Sequence, residues 1–291
     1  MAGASVPCSR SRGRPALTFL SPEASLSVRR VNPSLSIPLR IAAAQACSVP
    51  GDIARNVQRH LVLAQAAAHR GVQLLVFPEL SLTGYELPLL AGHVLDAGHA
   101  ALAPLRQAAR HLGMTLVVGG PATPATAGGL PAIGAWVLGA DGSAALYRKR
   151  HLHGSEEQFA SAGDEDAQVR VLAGESTGLA ICADATHPEH AHAAAMAGAA
   201  LYASGALISE QGYGPESAQL QGYARDHAMG VLVANHGGPS GGYASVGRSA
   251  FWAPGGRLVV AAPGAGTCLV LAERGPDAVW SGEVVVLDGL A

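Results

Sequence analysis

Hydrophobic and polar positions along this chain switch repeatedly between two periods. Leu39 to Ala46 is a short apolar run of strand length. Pro50, Gly51 and Asp52 then make a turn, with Asp52 placed to N-cap a helix reaching about His69. Within that stretch Ile53, Val57, Leu61, Ala64 and Ala68 recur at spacings of four and three, which predicts one buried face. Leu74 to Phe77 reads as a second strand, held extended at its end by Pro78. Leu102 to Leu112 predicts a helix closed by Gly113, and Thr115 to Gly119 a strand. Ile133 to Leu138 and Ser143 to Arg148 flank Ala140-Asp141-Gly142, a hairpin signal.

The second half repeats the alternation. Gly178 to Ile181 predicts a strand, and Pro188 fits the first turn of a helix running to about Met196. Leu201 to Ala203 is a strand, Ser217 to Met229 a helix and Val231 to Ala234 another strand. Pro254-Gly255-Gly256 turns a late hairpin. Strands and helices mix throughout, so the class is α/β or α+β with a large sheet content. No short repeat is present.

Residues 1–36 stand apart as an N-terminal extension, expected to be disordered, from a domain spanning 37–291. They hold five arginines, four prolines and a single acid, Glu23. The apolar patch Ala16 to Leu20 is too short for a secretory core. A transit peptide or an upstream start codon would carry the same composition.

Charge narrows the partners. Of 291 residues 14% are charged and the net charge is −2, with no basic stripe, which argues against nucleic-acid binding. The segment Leu258 to Ala272 is cut by Pro263, Gly264 and Gly266 and predicts two strands and a turn, not a membrane span. Cys8, Cys47, Cys182 and Cys268 are scattered without a CxxC pair, which points to free thiols in a reducing, cytoplasmic compartment.

Composition singles out one residue. Lys and Arg total 19, and Lys149 is the only lysine among them. Arg148 and Arg150 flank it, so a general need for positive charge is already met there. A lysine adds a compact point charge with three donors. Two other segments could hold chemistry. Glu79 follows an apolar strand in Phe77-Pro78-Glu79-Leu80, where half-burial would raise its pKa toward that of a usable base; a solvated loop acid is the plain alternative. Cys182 ends the strand Gly178-Leu179-Ala180-Ile181 and precedes a turn into a helix, a setting for a nucleophilic thiol; an inert core cysteine is the alternative.

Glu79, Lys149 and Cys182, in that order and within these local motifs, resemble the nitrilase superfamily of carbon–nitrogen hydrolases. The similarity runs over roughly residues 37–260. It includes Gln45, Gly51-Asp52 and Asn56 at the start, and Gly84-Tyr85 after the glutamate. Tyr147 and His151-Leu152 flank the lysine. Asp184, Pro188 and Glu189 follow the cysteine, with Ala234-Asn235 and Gly247 to Gly255 later. The resemblance implies a four-layer αββα sandwich, a Cys–Glu–Lys triad and no metal or organic cofactor. Cys182 would be the nucleophile, Glu79 the general base, and Lys149 with the Ala183 backbone N–H the oxyanion donors. Glu156, seven residues before Gly163, would be an auxiliary positioning glutamate, against a surface Glu156-Glu157 pair as the alternative. Asp184 two residues after the cysteine is similar to the amidase branch. Tyr223-Ala224 and Asp226 depart from the family's Arg-Ala and Glu before Asn235.

The resemblance thus implies an amidase releasing ammonia or an amine from a small-molecule amide, as a homodimer or larger homo-oligomer. A nitrilase or N-carbamoyl amide hydrolase is the nearest alternative, and a noncatalytic binding relative the more distant one. His187, His190 and His192 raise a rival Cys–His hydrolase or a zinc site. Neither rival gives Glu79 or Lys149 a role, and no cysteine stands at ligand spacing.

Overall fold

The structure, a computed structural model, describes residues 38–164 and 169–287. The expected N-terminal extension, residues 1–36, lies outside the described residues. The chain opens with β1 (Leu39–Gln45), α1 (Ile53–Ala68) and β2 (Leu74–Val76). It continues through α2 (Ala103–Leu112), β3 (Thr115–Ala122), β4 (Ala132–Leu138) and β5 (Ala144–Arg148). Next come β6 (Val169–Leu172), β7 (Glu175–Ile181), α3 (Pro188–Met196), β8 (Leu201–Ala206), α4 (Glu210–Asp226) and β9 (Gly230–Asn235). The last strands are β10 (Ala250–Ala253), β11 (Arg257–Ala261), β12 (Cys268–Arg274) and β13 (Trp280–Val286).

Two mixed sheets result, ordered β13-β12-β1-β2-β3-β4-β5 and β11-β10-β9-β8-β7-β6. The centre of each is parallel: β1, β2 and β3 in one, β7, β8 and β9 in the other. Side-chain parity then sets the layers. Ile41 and Ala43 of β1 join Ile181, Leu201 and Leu232 in a core between the sheets. Ala42 and Ala44, one residue out of phase, pack with Val57, Leu63 and Ala64 of α1 and Leu105 of α2. On the far side Tyr202 and Val231 pack with Ala191 of α3 and Leu220 and Ala224 of α4. The order is helix, sheet, sheet, helix: the αββα sandwich.

Local chemistry accounts for most element ends. The Asp52 carboxylate accepts from the Arg55 N–H at 2.9 Å and caps α1. Gly113 closes α2 in the left-handed region at φ 63°. Pro188 opens α3, as its missing N–H allows. α4 differs from expectation. It starts at Glu210 instead of Ser217, although Gly212, Gly214 and Pro215 all lie within it. Ser209 caps it, and the Tyr213 hydroxyl donates to the Arg248 carbonyl at 3.2 Å, so tertiary contacts outweigh poor helix propensity. The stretch Leu258 to Ala272 does hold two strand segments, but β11 and β12 belong to different sheets. The edge strands β6 and β13 escape the sequence pattern because their exposure does not alternate cleanly.

Candidate active site

Three strand ends meet at one place. Glu79 follows β2 by three residues, Lys149 follows β5 directly and Cys182 follows β7 directly. The segment carrying Glu79 runs between the two sheets. A Cβ on Gly119 of β3 would collide with the Pro78 carbonyl and the Leu80 N–H. One on Gly205 of β8 would collide with the Phe77 carbonyl. Glycine at both positions opens the channel through which this backbone reaches the site. Leu80 takes a positive φ of 50°, and the His236 imidazole donates to the Glu79 carbonyl at 2.7 Å, which holds the bend. Behind it, Asn56 of α1 donates to the Leu82 carbonyl at 2.9 Å, and His60 lies 2.9 Å from the Ser81 hydroxyl. The loop is thus tied to the first helix.

Lys149 is fully buried, and its Nζ donates to Glu79 Oε1 at 2.6 Å and to Glu156 Oε1 at 2.7 Å. Glu156 Oε1 also accepts from the Tyr85 hydroxyl at 2.6 Å, and its Oε2 accepts from the His153 N–H at 2.8 Å. Glu156 is therefore not a surface acid. Glu79 Oε2 is buried without a close hydrogen-bond partner. The Cys182 thiol stands near enough to this carboxyl to act on its pKa. Cys182 itself is half-buried at a φ of 46°, a strained value for a residue with a Cβ. Its sulfur lies 3.8 Å from the Leu207 carbonyl.

Asp184 builds this turn. It is buried and accepts from the Ile181 N–H at 3.0 Å, the Arg150 N–H at 3.0 Å and the His151 N–H at 2.8 Å. The Tyr147 hydroxyl donates to it at 2.7 Å. One carboxylate thus locks the lysine-bearing strand end to the cysteine-bearing turn. Burial works to raise its pKa, but hydrogen bonds from His151 and Tyr147 outweigh that and keep it ionised.

The electrostatics follow from burial. Desolvation lifts Glu79 to about 7, against the opposing pull of Lys149. Burial works to lower Lys149, but the charges of Glu79, Cys182 and Glu156 outweigh it and hold the ammonium protonated. Burial, then the Glu79 charge, pushes the Cys182 thiol up. A protonated thiol therefore sits beside a carboxyl whose proton affinity is raised by burial.

A cavity of about 170 Å³ opens beside Cys182, walled by Tyr85, His153, Ala183, Glu216 and Tyr243 among others. From the sequence, His151 and His153 are expected to shape the entrance and the stretches Tyr85 to His93, Gln158 to Asp164 and Ser209 to Ser217 to set specificity, but Glu216 is not singled out. Glu216 lies in the Ser209 to Ser217 stretch, which reads as loop because of its glycines and proline. Nor does the sequence foresee His236 under Glu79, since an isolated histidine carries no motif.

The three clustered histidines separate. His190 is buried between the hydroxyls of Tyr147 and Tyr202, at 2.9 and 2.8 Å. His192 instead faces His227. His151, His187 and Glu189 do bring ligand atoms within 4.8 Å of one another. The two imidazoles stack at 4.0 Å and 15°, however, so their in-plane lone pairs run parallel and do not converge on one ion.

An αββα sandwich with strand ends converging on a thiol, two carboxylates and an ammonium defines a hydrolase class. The chain belongs to the carbon–nitrogen hydrolase family, whose profile matches residues 40–278. Its structural relatives are amidases of the nitrilase superfamily. A variant of the amidase from Nesterenkonia sp. AN1, with the acetamide moiety of fluoroacetamide added covalently at its active-site cysteine, superposes with a TM-score of 0.75. It is 28% identical, and the match covers 82% of this chain and 91% of that one. A nitrilase from Pyrococcus abyssi is 29% identical over 69% of this chain and 76% of its own length. A Pseudomonas protegens protein named hydrolase in the pqqF 5′ region is 35% identical over 56% of this chain. That match spans only 57% of the Pseudomonas protein.

Proposed function

We propose that this chain is an amidase acting on small-molecule amides, with Cys182 as nucleophile, Glu79 as general acid–base and Lys149 as oxyanion donor. The observation that carries the reading is the buried Glu79–Lys149–Glu156 cluster, whose Glu79 and Lys149 interact with the Cys182 thiol that lines the cavity. A buried ion set with excess carboxylate is costly to a fold, which argues for a use in chemistry.

The reaction runs in two halves. Sγ of Cys182 attacks the amide carbonyl carbon while its proton passes to Glu79, whose Oε2 has no close partner to compete for it. The oxyanion is held by the Lys149 ammonium and the Ala183 N–H. Glu79 then gives its proton to the departing nitrogen, ammonia or an amine leaves, and a thioester remains. Water attacks the thioester, Glu79 takes the water's proton, and the collapse returns that proton to the sulfur with release of the acid. An oxyanion donor in such a site contributes about 10²–10³-fold in rate. Glu156 acts as a positioning residue, aiming Nζ through its 2.7 Å contact.

The coarser readings from sequence extend the proposal. Cys47, Cys182 and Cys268 are free thiols, which supports a cytoplasmic, reducing setting. Among the described residues no helix is long and apolar enough to cross a membrane. Assembly as a homo-oligomer through the helices after the cysteine completes the reading, with residues 1–36 outside the catalytic domain.

An ammonia-release panel tests the reaction class. Short primary amides are expected to turn over faster than N-carbamoyl amino acids or nitriles, and Cys182→Ala to abolish release. Turnover of nitriles alone would sink the amidase assignment.

A further inference from the structure

Glu216 is a carboxylate the reaction above does not use. It projects from α4 into the cavity that holds Cys182, and also borders a small void against Ser204, Leu220 and Val233. It is half-buried, and among the described residues no hydrogen bond or ion pair reaches it. Burial alone lifts its pKa to about 7. Glu216 and Cys182 line both cavities together, and the Glu216 charge opposes ionisation of the thiol. Gly212, one turn earlier in α4, lies beside the Glu216 Oε1, so the carboxylate packs along the helix at the cavity wall.

The same cavity carries an aromatic wall. Tyr85 and Tyr243 meet edge to face with ring centroids 5.7 Å apart, and both line the cavity. An unpartnered carboxylate beside tyrosine rings is the chemistry that recognises an ammonium group. The other titratable groups facing this space are Tyr85, His153, the Cys182 thiol and Tyr243. The volume, about 170 Å³, suits a ligand of about six to eight non-hydrogen atoms, since a cavity of about 150 Å³ accepts benzene.

We propose that Glu216 is a specificity-determining residue that selects primary amides whose short acyl chain ends in an ammonium group. The inference rests on the amidase reading and names its substrate class.

Isosteric pairs test it: β-alaninamide against butyramide, and 4-aminobutyramide against pentanamide. The ratio of kcat/KM within each pair is measured for the native protein and for Glu216→Gln. The native protein is expected to favour the amino amide by about 10-fold or more in at least one pair, and Glu216→Gln to bring that ratio close to one. Equal or reversed preference in both pairs for the native protein would overturn the proposal. So would a preference that survives in Glu216→Gln. Absence of ammonia from all four amides would instead refute the amidase reading. In that event calorimetric binding of the same pairs to Cys182→Ala still decides the selectivity, because it needs no turnover.

Discussion

Lys149 and Glu79, 70 residues apart in sequence, form a fully buried ion pair with Nζ 2.6 Å from Oε1. The lysine is the only one in the chain. A guanidinium would keep the charge, but its planar fork cannot place a point donor between two carboxylates in the same space. Lys149→Arg is expected to lose about 10²–10³-fold in kcat/KM. Its thermal unfolding should show a folded protein destabilised by about 1–3 kcal/mol from overpacking. Near-native turnover in this variant would mean that charge alone suffices at position 149.

The pH profile should report Glu79. Its pKa is raised to about 7 by burial, and the base must be deprotonated to take the thiol proton. Activity is therefore expected to fall as pH drops below about 7, approaching tenfold per unit. Protons are shared across Glu79, Lys149, Glu156 and Cys182, so the apparent pKa belongs to the set. Initial rates across pH check this, and a flat kcat/KM from about pH 5 to about pH 8 would remove Glu79 as the base.

Stability should depend on acid through His60. This imidazole stacks on Phe77 at 4.0 Å and sits 2.9 Å from the Ser81 hydroxyl, under the loop that carries Glu79. Burial lowers its pKa from 6.5 to about 4. The unfolded chain then binds a proton that the folded one does not. Stability from this group is complete above 6.5 and is lost as pH falls toward about 4. Melting temperatures of native protein and His60→Gln, measured between these limits, should converge as pH falls. Parallel curves would show that His60 does not titrate with unfolding.

Much of the proposed site was legible because its residues sit at strand ends, where local sequence already marks the break. Pro78 marks the end of β2, and Cys182 follows the apolar Gly178 to Ile181 run. Lys149 was legible from composition alone. Glu156 could not be separated from a surface Glu-Glu pair until Tyr85 and the His153 N–H were seen around it. Glu216 was hidden because glycine and proline precede it, and only contacts at Tyr213 make that segment helical.

By itself the sequence determined a mixed α and β class with large sheet content, the ordered Glu79, Lys149 and Cys182 motifs whose family resemblance implies the αββα sandwich, and most element boundaries. Those properties depend on neighbours within a few residues, or on motifs that survive as short strings. Only the tertiary structure decided that β11 and β12 enter different sheets. It also decided that Gly119 and Gly205 clear a path for the Glu79 backbone, and that Asp184 ties two strand ends together. Those depend on which faces meet across the two sheets. Packing between segments distant in sequence fixes that, and no local pattern encodes it.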